Sequence, residues 1–391
     1  MSSILTLRQS VLAIGLAFGA SAASPLVLAA EADADEPAPQ VLPEVRTQAE
    51  RVSVGEQRLD RRQIEAMKGI DGNVTSLLRI NPSVQFDNKQ QASATQGELA
   101  PADISINGAK FYDNLYQMDG MSLNNDIGPV SSNPASNTTP PSASQGFAID
   151  TSLLCDVTVL DANIGAEYGR FKGGVVKANT CAPTRKLAGQ MSVESTRSSW
   201  MQYKLNDSQK ESATTSTTAA LQPEFEKWTY RAALQGKVTE NFSLIGSFIR
   251  KTSDIPLNGY GNRLQSESDA NRKVQKRGSD NAFVRGFWTI GPGVLADFSL
   301  MHAPASGDYF IANAKNSTYH LKSGGTGVNL GLTHPVGLLG NAKAEHRLSW
   351  NKMDSSRDAD ASVWKAWRYS SGKNWGVKTG TGATGWASNE G

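Results

Sequence analysis

The sequence predicts an α+β domain followed by antiparallel strands of a transmembrane β-barrel. Three observations predict it. Residues 1–30 have the pattern of a secretory signal, the chain changes near residue 187 from short mixed elements to long alternating runs, and the connections between those runs alternate between long and tight. Composition suits a polar, turn-rich β protein, with 36 glycines and 39% hydrophobic residues in a chain of 391. Lys and Arg number 39 against 37 Asp and Glu, a net charge of +2, so no field favours a nucleic-acid partner. After residue 30 no stretch holds the roughly 20 apolar residues that a membrane helix needs.

The N-terminal segment reads as a signal peptide over 1–30. Arg8 precedes an apolar run at 11–23, and Leu26-Val27-Leu28-Ala29-Ala30 ends in small residues suited to cleavage after Ala29 or Ala30. A retained membrane anchor is the alternative, but the run is short and Ser24-Pro25 breaks it. Residues 31–50 are a linker rich in Pro, Ala and Glu. Over 51–185 the elements shorten. Residues 59–67 predict a helix, and 74–80 a second one, capped by Asp71 or Asn73 and stopped by Asn81-Pro82. Alternating runs at 103–107 and 115–120 predict strands, and polar loops lie at 87–101 and 124–146.

Export places the two cysteines, Cys155 and Cys181, in an oxidising compartment. They flank β-like runs at 156–160 and 174–180. If those runs pair antiparallel, the sulfurs meet at one end of the hairpin and a disulfide follows; two free thiols are the alternative. A metal site at this pair lacks nearby histidines.

From about residue 187 the strands are expected at 187–203, 224–237, 240–253, 279–290, 294–303, 317–333, 341–353 and 361–370. In the seventh, Lys343, Glu345, Arg347, Ser349 and Asn351 share one face, while Ala342, Ala344, His346, Leu348 and Trp350 share the other. The fourth puts Ala282, Val284, Gly286, Trp288 and Ile290 on one side, and the fifth does the same with Val294, Ala296, Phe298 and Leu300. One polar and one apolar face is what a membrane barrel requires. The connections at 204–223, 254–278 and 304–316 are long, whereas those at Val238-Thr239-Glu240 and Gly291-Pro292-Gly293 are tight. Outer-membrane barrels have long external loops and short periplasmic turns, and the phase matches. A soluble β-sandwich with uneven loops is the competing explanation of the pattern.

Several stretches between 41 and about 185 resemble the plug domain of TonB-dependent receptors. Leu42-Pro43-Glu44-Val45-Arg46-Thr47 resembles a TonB box, and Leu77-Leu78-Arg79-Ile80-Asn81-Pro82-Ser83-Val84 resembles the early helix ending in a proline turn. Ile104-Ser105-Ile106-Asn107-Gly108 is similar to the family's strand ending in Arg-Gly, with Asn107 in the place of the Arg. Asp119-Gly120-Met121-Ser122-Leu123-Asn124 is similar to its Asp-Gly segment. Ala166-Glu167-Tyr168-Gly169-Arg170-Phe171-Lys172-Gly173-Gly174-Val175-Val176 is similar to its closing signature. There Gly169, Gly173 and Gly174 are expected to let the backbone turn, approach closely or take positive φ. Glu167 and Arg170 are expected to pair with each other or with barrel-wall charges.

The resemblance implies a ligand-gated importer of the bacterial outer membrane, with plug and N-terminus facing the periplasm. It implies partners: TonB of the inner-membrane energy complex, an extracellular small ligand such as an iron–siderophore complex, outer-membrane lipid and the barrel assembly machinery. Lys110, Phe111 and Tyr112, with Asn124 and Asn125 and the loop at 128–146, are the implied substrate-facing positions. The family's barrels have about 22 strands around a plugged lumen. The eight strands expected here are an incomplete barrel, because eight alone would fill their own interior. The alternative is a small outer-membrane barrel with a periplasmic interaction domain and no transport role. An enzyme is not expected, nor a cofactor or metal. His302, His320, His334 and His346 are scattered, there is no P-loop or Gly-x-Ser-x-Gly, and Gly324-Gly325-Thr326-Gly327 is not followed by a helix.

Overall fold

A computed structural model describes residues 54–67, 72–87, 94–125, 145–148, 150–183, 186–202, 204–261, 272–337, 342–362, 365–369 and 386–390. The expected signal peptide, the TonB box at 42–47 and most of the 128–146 loop lie outside the described residues.

The N-terminal domain opens with β1 (Glu56–Asp60), α1 (Arg61–Met67) and α2 (Val74–Leu77). The first helix was expected from Leu59, but it starts at Arg61. Asp60 and Gln63 exchange reciprocal side-chain to backbone hydrogen bonds of 2.9 Å, a capping box that fixes Asp60 as the cap. Leu59 therefore stays in β1 and is buried. α2 runs on as a 3-10 turn, Leu78–Ile80, and ends at Asn81, which takes φ −85° and ψ 120°. Pro82 forces that extended conformation on the residue before it.

The remaining elements of this domain are β2 (Val84–Phe86), β3 (Ile104–Ile106), β4 (Leu115–Met118), β5 (Met121–Ser122), β6 (Leu154–Leu160) and β7 (Val175–Thr180). Five strands form one sheet in the order β1-β6-β7-β4-β5, with β4 parallel to β7 and the other neighbours antiparallel; β2 and β3 pair separately. Ile64, Leu77, Ile104, Ile106, Tyr116, Leu154 and Val157 fill the core around it.

The antiparallel β6–β7 pairing brings Cys155 and Cys181 together as a disulfide, their Cα atoms 4.9 Å apart. A register shift between Leu154 and Asp156 leaves Cys155 outside the ladder, free to reach its partner. The bond closes a loop of 26 residues. Replacing both cysteines by alanine is expected to destabilise this domain by about 3 kcal/mol, from the restored entropy of the unfolded loop. Calorimetry of the oxidised protein and the variant checks it, and coincident transitions would exclude the contribution.

The C-terminal wall contains β8 (Ala188–Arg197), α3 (Asp207–Thr214), β9 (Glu226–Lys237), β10 (Phe242–Asn258), β11 (Arg272–Gly291), β12 (Val294–Tyr309), β13 (Ala314–Lys315), β14 (Tyr319–Pro335), β15 (Lys343–Met353) and β16 (Ser356–Ala359). Consecutive long strands pair antiparallel from β8 to β15, and β16 continues along β14, giving an eight-stranded sheet. The expected strand at 361–370 is not its eighth member. β17 (Lys365–Tyr369) pairs instead with β13 and with β18 (Trp386–Glu390) in a separate three-stranded sheet.

Two connections expected as long loops, 254–278 and 304–316, are shorter because β10, β11 and β12 run on to Asn258, from Arg272 and to Tyr309. A bilayer needs only about 9–11 residues per strand. The excess lies at the long-connection end, where the outward positions of β10 turn polar and its apolar residues, Ile255 and Leu257, are buried on the inner face with Phe225 and Phe310, the reverse of the membrane pattern. The polar connection 204–223 also holds α3, started by the Asn206–Gln209 capping box.

The two faces of the wall separate as the alternation predicts. Val284, Trp288, Phe298, Leu300, Leu330, Leu348 and Trp350 are exposed on one side. Glu194, Arg231, Lys251, Arg277, Arg285 and Asn329 are buried on the other, against the α+β domain.

Candidate functional site

The candidate site is the polar seam between the α+β domain and the inner face of the wall. Three carboxylates of the domain, Glu98, Asp119 and Asp150, enter basic clusters on the strands.

Asp119 and Gly120 turn β4 into β5 with φ of 53° and 83°. Asp tolerates that left-handed conformation better than most residues, and glycine adopts it freely. The turn points the buried Asp119 carboxylate at the wall, where it pairs with Arg285 of β11. It also accepts from the Thr180 backbone N–H at 2.9 Å and the Thr180 hydroxyl at 3.0 Å. Arg285 reaches Asp297 of β12 at 3.2 Å, and Arg347 of β15 reaches the same carboxylate at 3.2 Å. The Asp119 carbonyl accepts from Asn329 at 2.9 Å and from Arg347 at 3.1 Å.

Asp150 caps the 3-10 turn Thr151–Leu153, accepting from the Ser152 N–H. Both its oxygens accept from Arg231 Nε at 3.1 Å, and Lys251 Nζ stands 3.2 Å away. Lys251 also donates to Asn73 Oδ1 at 3.2 Å, and Arg231 pairs with Glu194 at 2.7 Å. Asn73, expected as a helix cap through its side chain, makes no such cap bond. Burial alone would raise the Asp150 pKa, but Lys251, Arg231 and the Ser152 hydrogen bonds hold it down at about 2.

Glu98 binds Arg277 of β11 in a two-pronged pair, 2.9 Å at each prong. Gln222, from the long connection before β9, donates to Glu98 at 2.8 Å and accepts from Gly97 N–H at 2.8 Å. The Arg277 guanidinium lies 3.7 Å over the Tyr309 ring, Tyr309 stacks on Tyr319 at 5.5 Å, and Arg357 covers Tyr319 at 4.4 Å. This anchor sits toward the long-connection end of the wall, whereas Asp119 contacts strand positions nearer the tight turns.

The structure divides the residues singled out in the sequence. Asn107 takes φ 55°, followed by Gly108 at 74°, and its amide donates to Asp161 O at 2.5 Å. The amide thus makes a contact inside the domain at the position where the resemblance has an arginine. Added Cβ atoms on Gly173 and Gly174 would meet Ala109 at 2.9 Å and Ile106 at 2.7 Å, so both serve close packing. Gly169 does not. A Cβ there meets nothing within 4 Å, and its φ is not positive. Glu167 and Arg170 are exposed on this loop, Arg170 at φ 63°, and Tyr168 accepts from Lys177 at 2.7 Å.

Lys110 is exposed beside the T-shaped Phe111–Tyr112 pair, its Nζ 5.6 Å from the Tyr112 ring. Asn124, expected to face substrate, has its amide engaged inside the domain. Oδ1 accepts from Tyr116 N–H at 2.8 Å and Nδ2 donates to Asn114 O at 2.7 Å. Asn125 follows it, half-buried. Sequence reasoning missed Glu98, Asp150, Arg231, Lys251, Arg277 and Arg285. Strand parity offered a signal for Arg285, since Val284 and Gly286 share the apolar side of the strand and Arg285 falls on the other. Among the described residues no group of three or more His, Cys, Asp or Glu side chains is placed to hold a metal.

Comparison with known proteins agrees with this architecture. Residues 45–176 match the TonB-dependent Receptor Plug Domain family model. The chain is 28% identical over 307 residues to the uncharacterized protein YddB of Escherichia coli K12, covering 77% of this chain and 38% of that protein. The crystal structure of the outer membrane transporter YddB from E. coli superposes with a TM-score of 0.70 at 26% identity, covering 80% of this chain and 44% of that one. A ferric enterobactin receptor from Pseudomonas aeruginosa, solved with enterobactin, shares the fold with a TM-score of 0.50 at 12% identity, covering 86% and 45%. The chain thus spans less than half the length of each of these relatives.

Proposed function

Because this chain belongs to the TonB-dependent outer-membrane receptors, with the plug facing the periplasm, we propose that it supplies the gate and coupling handle of an importer for a scarce ligand such as an iron–siderophore complex. The observation that carries this reading is the seam. The plug meets the wall through hydrogen-bonded ion pairs at Glu98, Asp119 and Asp150. Polar contacts of this kind hold a rigid seat, and water can replace their partners when the plug is drawn aside. A purely apolar seam would lack such exchangeable partners. No covalent step is assigned to the protein.

Residues 42–47 are the proposed handle. An extended segment can add as an edge strand to the TonB sheet, with main-chain hydrogen bonds bearing the pull. Lys110, Phe111 and Tyr112 offer a cation beside two rings, suited to an anionic or aromatic ligand, and Asn125 is the proposed neighbour. Val45→Pro in the complete receptor removes one main-chain donor from the handle. Energised uptake is expected to fall to the level of a strain lacking TonB, while binding to the cell surface persists. Growth on a panel of ferric chelates, cobalamin, haem and glycans identifies the cargo. Uptake of that cargo unaffected by Val45→Pro would remove 42–47 from the coupling role.

A further inference from the structure

Two histidines meet on the outward face of the wall at its tight-turn end. The ladder sets His334 of β14 opposite Ala344 and Leu332 opposite His346 of β15, so the histidines are diagonal neighbours. They share their face with the exposed Leu332 and Leu348. The two Nε2 atoms lie 3.1 Å apart, with the rings within 11° of parallel and centroids 5.2 Å apart. Nitrogens that are much closer than the centroids mean that the rings meet edge to edge through Nε2, not face to face. His334 Nδ1 lies 3.1 Å from the Pro335 carbonyl oxygen. A carbonyl only accepts, so Nδ1 carries the proton, and Nε2 of neutral His334 is a bare lone pair aimed at His346. Metal-binding histidines are oriented in this way, with one ring nitrogen tied to a carbonyl and the other presented.

We propose that His334 and His346 form a two-imidazole site for a divalent transition-metal ion, with water completing its coordination. For nitrogens 3.1 Å apart, bonds of about 2.0–2.1 Å close an angle near ~100° at the metal. That lies between octahedral and tetrahedral geometry. From the edge-to-edge arrangement the ion lies roughly 40° off the line joining the two nitrogens, so both rings reorient to take it. Imidazole pairs favour Cu²⁺ over Ni²⁺ and Zn²⁺. No third His, Cys, Asp or Glu among the described residues completes the set, so the ion exchanges with solvent. Tight turns mark the periplasmic end of such a wall, so the site faces the periplasm and a bound ion bridges β14 to β15 beside their turn.

The test uses the full chain in detergent, purified without a polyhistidine tag and titrated with Cu²⁺ under electron paramagnetic resonance. One ion with two-nitrogen coordination is expected. His334→Ala and His346→Ala should each weaken binding about a hundredfold, because the second imidazole binds as an intramolecular event. His302→Ala, elsewhere on the outer face, should leave binding unchanged. Because both histidines lie near the surface, equal melting of the metal-free proteins confirms that the variants fold. Binding equal in the wild type and in either variant at this pair overturns the proposal, as does a wild-type spectrum with one nitrogen or none.

Discussion

Asp150→Ala is expected to loosen the plug from the wall by about 3–5 kcal/mol, the cost of leaving buried charge without its partner. Asp150 is the shared counter-ion of Arg231 and Lys251, and all three side chains are under a tenth exposed. Glu194 still faces Arg231 in the variant, whereas Lys251 loses the carboxylate that stands 3.2 Å from its Nζ. Thermal melting in detergent at a fixed scan rate, with limited proteolysis of the plug loops, reads the change. A midpoint within a degree of wild type would show that the cluster does not hold the plug. The same residue sets an acid limit. Its carboxyl titrates at about 2 in the folded protein, below its ordinary value of 3.8. The unfolded chain therefore takes up the proton first as pH falls. The stabilising contribution, on the order of 2 kcal/mol, is complete above about pH 4 and is lost as pH falls toward 2. Asp150→Asn should abolish this part of the acid sensitivity while lowering stability at neutral pH.

What could be read in the sequence was whatever repeats with a period or carries a fixed turn chemistry. The wall strands were legible because lipid on one side and polar contacts on the other impose a period of two, clearest from Lys343 to Met353. Where β10 rises past the apolar belt, the apolar residues Ile255 and Leu257 switch to the inner face and Pro256 interrupts the run, so the membrane pattern no longer marks the strand and the end at Asn258 was not legible. The Asp119-Gly120 turn was legible as a motif, but its partner was not. Arg285 lies 166 residues away, and only the fold sets the two face to face. Glu98 sits in the polar loop at 87–101 and Asp150 at the cap of a short 3-10 turn, places that carry no period, and in sequence they look like any solvated acid. The Gly169 expectation failed for the opposite reason. A glycine inside a signature is not evidence of close approach unless a neighbour occupies the space, as Ile106 does for Gly174.

The Asp119 cluster leads to an asymmetric expectation that a simple one-to-one salt bridge would not. Arg285 serves two carboxylates, Asp119 and Asp297, while Asp297 has a second cation in Arg347. Removing Arg285 leaves Asp297 paired but strands the Asp119 carboxylate, which is 1% exposed, with only the two Thr180 hydrogen bonds at its oxygens. Arg285→Ala is therefore expected to cost about 3–5 kcal/mol. Asp119→Asn keeps a residue that tolerates φ 53° and still accepts from the Thr180 N–H. It leaves Arg285 paired with Asp297, so its cost should be nearer the ~1–3 kcal/mol of a lost charge-assisted hydrogen bond. In the double variant no carboxylate is stranded, so its loss should be smaller than the sum of the two singles by about 1–3 kcal/mol. Melting of the four proteins in one detergent gives the coupling. Equal losses in the two singles, or simple additivity, would mean that Thr180 and the surrounding backbone, and not Arg285, hold the Asp119 turn against the wall.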